Sequence, residues 1–352
     1  MLQHELYMQR CLDLAQNGAG YVSPNPLVGC VITHGDKIIG EGWHRKFGEA
    51  HAEVNAIRSV ENKALLKTST LYVNLEPCSH HGKTPPCAEL IIESGIPRVV
   101  MGMKDPYHEV AGTGIARLQK AGIDVTVGVL EEQCHWLNRR FIHFVTQKKP
   151  YVFLKWAQTQ DGFIAPDASK LTQQQFEEKR HITGFIVQKL VHRWRTEEDA
   201  ILVGTRTAIT DNPALNTRAW NGRNPVRITM DKNLRIPLTA KLYDGSQPTV
   251  VFTDKKTPVA ANALVTYRII DFSKNIWPQI LTDLYEQGIQ SLIVEGGLHT
   301  LQSIINSHCW NEIQRFTTPA TLLEGIAAPA FHGRLVSESS IDKSTLTVYI
   351  NA

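Results

Sequence analysis

In HAEVNAI, residues 51–57, a histidine and a glutamate stand two positions apart at the start of a helix-like run. At that spacing the two side chains do not share a helix face, so mutual helix stabilisation is a poor account of them. Further on, Cys78 follows a strand-like run that stops at Pro77, and Cys87 follows Pro85 and Pro86, in the first turn of the next helix, where proline is tolerated. One imidazole and two thiols suit zinc, a borderline-soft cation that takes nitrogen and thiolate sulfur in four-coordinate sites. His51, Cys78 and Cys87 supply three ligands and leave the fourth position open, which is the mark of a catalytic rather than a structural zinc. A metal so held brings the pKa of a bound water down to about 7, and Glu53 stands where a proton carrier for that water is needed.

The elements that must position these groups alternate in an α/β manner. VGCVITH and KIIGEGWH read as a hairpin around Gly35 and Asp36, HAEVNAIRSV as a helix, TLYVNLEP as a strand, and CAELIIESG as a helix closed by Gly95. RVVMGMKDP, a helix through IARLQKAG and the strand DVTVGVL follow. The polar, lysine-bearing TQKKP ends at Pro150, and the strand YVFLKWA begins at once, which predicts a boundary between domains 1–147 and 148–352. The second half offers the strands DAILVG, PVRITMD, TVVFTD and SLIVEGG with helices between them. Its segment 167–180 has no apolar stripe and reads as a surface insertion.

A chain of 352 residues exceeds one typical domain, and 42% hydrophobic with 20% charged residues describes a water-soluble globular protein. The formal net charge of +3 comes without a lysine or arginine run, so charge implies no nucleic-acid partner. No run of about eighteen apolar residues predicts a membrane span. MLQHELYMQRCLDLAQNG reads as an amphipathic helix stopped at Gly18 and not as a signal peptide, so a cytoplasmic protein with reduced thiols is expected. Cys11, Cys30, Cys134 and Cys309 then read as packing residues.

H-x-E followed by P-C and a second cysteine is the order used by zinc deaminases of nucleobases, whose common form spaces the cysteines as C-x-x-C. Here eight residues separate them, in EPCSHHGKTPPC. PNPLVGCVI, HAEVNAI and EPCSHHGKTPPCAEL together resemble the deaminase domain of the bifunctional riboflavin-biosynthesis deaminase and reductase family, over residues 5–138. The resemblance implies a cytidine-deaminase-like αβα layered domain, one zinc on His51, Cys78 and Cys87, and proton transfer by Glu53. It also implies that Asn25 meets the substrate, with His80, His81 and Lys83 as donors for a phosphate.

In the second half, SLIVEGGLHTLQSII joins a strand to a helix through two glycines, a geometry that lets backbone N–H groups receive a phosphate. LKWAQTQDG, HITG, DAILVGTRTAITDNPALNTR and VEGGLHTL resemble, in the same order, the reductase domain of that family, which has a dihydrofolate-reductase-like α/β fold, over most of residues 151–352. By that resemblance NADPH meets Ala157, His181, Thr207, Asp211 and the Gly297 turn, and the substrate meets Lys179, Arg195, Leu215, Arg218 and Glu295. Lys179 and His181 stand where the family usually has a serine and a tryptophan. The activity so implied is deamination of a phosphoribosylaminopyrimidine and then reduction of its ribosyl chain. The competing readings are a deaminase whose second domain only binds or assembles, a nucleic-acid base deaminase, and an interaction protein with a structural zinc. A homo-oligomer is compatible with each.

Overall fold

The computed structural model describes residues 2–79, 86–107, 111–167, 170–180, 182–255 and 262–351. The chain divides into two compact units, Met1–Lys148 and Lys149–Ala352.

The first unit is built on strands β1 (Gly29–His34), β2 (Lys37–Trp43), β3 (Thr70–Leu75), β4 (Arg98–Met103) and β5 (Asp124–Val127), in the order β2-β1-β3-β4-β5. β1 is antiparallel to β2 and β3, whereas β3, β4 and β5 run parallel. Alternation sends successive side chains to opposite faces, and both faces are apolar. Cys30, Ile32, Leu71, Val73, Val99 and Met101 meet the helices α2 (Ala52–Ser59), α3 (Cys87–Glu93) and α4 (Thr113–Lys120). Val31, Tyr72 and Val100 meet α1 (Leu2–Gln16) and α5 (Glu131–Leu137) on the other side. The result is the expected αβα layering. α6 (Arg139–Gln147) ends the unit.

The second unit carries a nine-stranded sheet. Its strands are β6 (Tyr151–Thr159), β8 (Ala200–Gly204), β9 (Val226–Met230), β10 (Thr249–Thr253), β11 (Val265–Ile269), β12 (Ser291–Gly296), β13 (Glu312–Thr318), β15 (Arg334–Ile341) and β16 (Ser344–Ile350). They are ordered β11-β10-β9-β8-β12-β6-β13-β16-β15, all in one direction except β16, which is antiparallel to both its neighbours, and a separate pair joins β7 (Phe163–Ala165) to β14 (Ile326–Ala327). Two apolar cores cover its faces, one closed by α10 (Ile276–Glu286) and α11 (Leu298–Asn306).

One expectation for this half needs correction. Between β9 and β10 the chain makes only a 3-10 turn, Lys241–Tyr243, in place of a helix. The buried Arg227 guanidinium takes over the hydrogen bonding, donating to the carbonyls of Lys241 (2.7 Å) and Gln247 (3.0 Å) and to Asp244 Oδ1 (2.9 Å). The polar segment 167–180 contains a helix, α7 (Gln173–Arg180), with no apolar stripe, in keeping with the surface insertion expected there. Among the described residues no helix is long and apolar enough to cross a membrane.

Candidate functional site

Helix α2 begins at His51, its N-cap, and α3 begins at Cys87, with Cys78 three residues past the end of β3. Sheet and helix ends therefore deliver the three side chains to one place. His51 Nδ1 lies 3.6 Å from Cys78 Sγ and 3.4 Å from Cys87 Sγ, and all three ligand atoms lie within 4.8 Å of one another. A tetrahedral zinc with about 2.1 Å to nitrogen and about 2.3 Å to sulfur needs N···S separations of about 3.6 Å, so the donor set and its spacing fit that ion. The Cys87 thiol, then the His51 imidazole and the Cys87 backbone N–H (3.3 Å), lower the Cys78 thiol from its ordinary pKa, against the opposing effect of burial. Cys87, which donates to it and is buried, is pushed up.

Glu53, in the first turn of α2 and only 3% exposed, lines the same cavity as His51 and Cys78. Burial raises its pKa, as does the neighbouring Cys78 sulfur, while His51 opposes. A carboxyl group held in that way is fitted to exchange a proton. The cavity is about 660 Å³, a size that admits a nucleotide-like molecule.

Asn25 lines this cavity too, and its amide meets His44 Nε2 at 3.1 Å. The segment that carries it is clamped from a distance: Asn138 Oδ1 accepts from Leu27 N–H (2.8 Å), and both Asn138 and Asn74 donate to the Leu27 carbonyl (3.0 and 2.9 Å). His44, Glu76, Asp105 and Tyr107 belong to the cavity wall as well, and sequence reasoning did not single them out. Asp105 and Tyr107 left a signal in KDPY directly after β4, since loops at the carboxyl ends of parallel strands are where α/β sheets place ligand contacts. His80, His81 and Lys83 lie outside the described residues.

In the second unit, Arg195 of α8 (Phe185–Glu197) and Glu295 of β12 form a two-pronged pair, Nε to Oε1 at 2.9 Å and Nη2 to Oε2 at 2.7 Å, with side chains 12% and 10% exposed. Arg195 Nη1 reaches the Asn216 carbonyl (3.1 Å), and Arg218 reaches Asn216 Oδ1 (3.2 Å). Burial opposes ionisation of Glu295, yet the charges of Arg195 and Lys155 and the Arg195 hydrogen bonds outweigh it and hold the carboxyl at about 2. Burial also lowers Lys155, with Glu295 acting against it and Arg195 adding to it. Burial, then Arg195 and Arg218, hold His192 at about 4, so the imidazole is neutral. Lys155 and His192 are members of this cluster that the sequence reading missed. A lysine inside the otherwise apolar strand YVFLKWA was the available signal.

Ala157 sits on β6, Thr207 on α9 (Thr205–Thr210) directly after β8, and Gly297 directly after β12, so three neighbouring parallel strands in the middle of the sheet bring them towards their shared carboxyl-terminal end. A Cβ on Gly297 would lie 3.0 Å from Thr207 Oγ1, which shows how closely these two turns approach. Such a close backbone turn at the head of α11 fits the phosphates of a dinucleotide. Asp211 caps the end of α9, and Leu215 is buried with φ of +51°. Lys179 is exposed on α7, and among the described residues no hydrogen bond or ion pair joins it to Arg195, Arg218 or Glu295. His181 lies outside the described residues.

Replacing Arg195 by alanine leaves Glu295 charged and buried beside Lys155 alone. We expect a loss of about 3 kcal/mol in urea or thermal unfolding of the full chain, as for other buried pairs robbed of one partner. Because Glu295 is depressed from its unfolded value near 4.5 to about 2, its contribution is complete above about pH 4.5 and fades as the pH falls towards 2.

Two family models match the chain: the cytidine and deoxycytidylate deaminase zinc-binding region over residues 1–103, and the RibD C-terminal domain over residues 150–347. The riboflavin biosynthesis protein RibD of Aquifex aeolicus is 40% identical over 336 residues, 95% of this chain and 92% of that protein. RibD of Escherichia coli K12 is 41% identical over 337 residues, 91% of this chain and 89% of that protein. The crystal structure of a diaminohydroxyphosphoribosylaminopyrimidine deaminase and 5-amino-6-(5-phosphoribosylamino)uracil reductase from Thermotoga maritima superimposes with a TM-score of 0.89 at 35% identity, covering 100% of this chain and 99% of that one.

Proposed function

The chain belongs to the RibD family of riboflavin-biosynthesis proteins, and from that premise we propose which of its residues carry the two reactions of a bifunctional deaminase and reductase. It is a zinc-dependent hydrolase and an NADPH-dependent oxidoreductase: it removes an amino group from 2,5-diamino-6-(5-phosphoribosylamino)pyrimidin-4(3H)-one and reduces the phosphoribosyl chain to phosphoribityl. The observation that carries the residue assignment is the cluster of His51, Cys78 and Cys87, two of which, His51 and Cys78, share the wall of one cavity with the buried Glu53.

Bound zinc supplies a water acidified enough to react near neutral pH, and the nicotinamide supplies reducing equivalents. His51, Cys78 and Cys87 hold the metal. Glu53 would carry two protons in turn: the first from the water to the pyrimidine ring nitrogen, the second from the oxygen added to the ring carbon to the amine, which departs as ammonia. Asn25, oriented by His44, donates to the substrate from the facing wall. In the second unit the turn at Gly297, with Ala157, Thr207 and Asp211, receives the dinucleotide, and His181 adds a contact to it. Arg195, Glu295, Leu215 and Arg218 frame the pyrimidine and its phosphate, with Lys179 adding a positive charge. Arg195 supports the substrate through Glu295, which it holds ionised, whereas Arg218 keeps donors for an anion.

The six cysteines, all free thiols, support a cytoplasmic location. The substrate is a small molecule, and neither nucleic acid nor membrane enters the reading. Incubation of the full chain with the diaminopyrimidinone, with and without NADPH, tests it by product mass. The expected outcome is the deaminated pyrimidine alone without NADPH and the ribityl product with it; a deaminated product in both cases would leave the second unit a binding module. Arg218→Ala should raise the KM of the reduction about tenfold or more with a smaller fall in kcat, as loss of binding shared by ground and transition states does.

A further inference from the structure

Glu76 is the residue before the Pro77–Cys78 pair, is 5% exposed and lines the deaminase cavity. Its two carboxyl oxygens accept four backbone hydrogen bonds. Oε2 takes them from Asp105 N–H (3.1 Å) and Gly112 N–H (2.9 Å), and Oε1 from Gly114 N–H (2.9 Å) and Ile115 N–H (3.2 Å). Among the described residues no cation pairs with it. Gly112 is the N-cap of α4, and Gly114 and Ile115 lie in its first turn, so one carboxyl group supplies acceptors that the helix's own sequence lacks. The approach is close: a Cβ on Gly114 would sit 3.1 Å from Glu76 Oε1 and 2.3 Å from the Pro77 carbonyl.

The same group thus ties the end of β3, two residues from a zinc ligand, to both the start of α4 and the turn after β4. That turn carries Asp105 and Tyr107 into the cavity wall, and Asp105 Oδ1 accepts from Tyr107 N–H at 2.8 Å. We propose that Glu76 is a positioning residue for substrate recognition in the deaminase: through four backbone hydrogen bonds it sets the wall bearing Asp105 at a fixed place relative to the zinc ligands. Asp105 then offers acceptors to the amino groups of the diaminopyrimidine, a hydrogen-bonding demand that a monoamino ring meets only in part. This inference rests on the deaminase reading given above.

Glu76→Gln keeps the shape but turns an amide N–H₂ towards one pair of backbone donors, so two of the four bonds are lost. In the full-length chain we expect zinc to stay near one per chain, the KM of deamination to rise about tenfold or more, and kcat to fall less than about threefold. Reduction of the deaminated pyrimidine by the same preparation should not change. Asp105→Asn should raise KM in the same manner, and the double variant should exceed the larger single effect only slightly, because both act on one wall. Where Glu76→Gln does not accumulate, Glu76→Asp replaces it; its acceptors sit on a stem one methylene shorter, and the same split is expected. Unchanged kinetics, lost zinc, an effect confined to kcat, or fully additive effects of the Glu76 and Asp105 variants would each overturn the proposal. A wild-type chain that releases no ammonia from the diaminopyrimidine would instead overturn the deaminase reading, and the two failures are told apart by that control.

Discussion

Glu53→Gln is expected to lower ammonia release at least a hundredfold while leaving zinc content and fold intact. The amide is isosteric with the carboxyl it replaces but cannot take up a proton, and general acid–base catalysis is worth about 10²–10⁴ in rate. Glu53 is buried beside His51, Cys78 and Cys87 without being one of the three clustered ligands, so its loss removes the proton path and not the metal. Zinc assay, ammonia release and NADPH oxidation with the deaminated pyrimidine, measured on one preparation, check this. Near-normal deamination would exclude Glu53 as the proton carrier.

Cys78→Ser or Cys87→Ser should abolish both zinc binding and deamination. A neutral hydroxyl is a far weaker ligand for zinc than a thiolate, and with only three protein ligands one loss leaves two. The wild-type chain is expected to hold about one zinc, and either variant close to none, with reduction retained because the residues proposed to bind NADPH belong to the other unit. Elemental analysis after dialysis against a weak chelator makes the measurement. Full zinc content in both variants would remove this ligand set.

Much of the first unit was legible because its information is local. The strands of β1 to β5 and the starts of α2 and α3 follow from apolar alternation, proline placement and the closing Gly95, which has φ of +70°. The second unit was less so. β11 and β13 were not anticipated, and β15, RLVSESSI, is exposed along nearly its whole length and shows no alternation to read. It is held by backbone pairing with β16, which any sequence can supply.

The sequence by itself determined the chemistry: zinc-ligand types are few, their order H-x-E, P-C, C is restrictive, and the ligands and the proton carrier lie within 37 residues, 51–87, at the ends of elements readable from local pattern. Only the tertiary structure decided what surrounds that chemistry. Asn138 grips Leu27 across 111 positions, Arg195 meets Glu295 across 100, and Glu76 reaches Gly114 across 38. Each of these contacts is set by sheet order and crossover connections, and a hydrogen bond between distant residues leaves no periodic or spacing signature in either partner's neighbourhood. Arg195 shows the consequence most directly: the resemblance assigns it to the substrate, and only the fold shows that its guanidinium meets the buried Glu295 carboxylate.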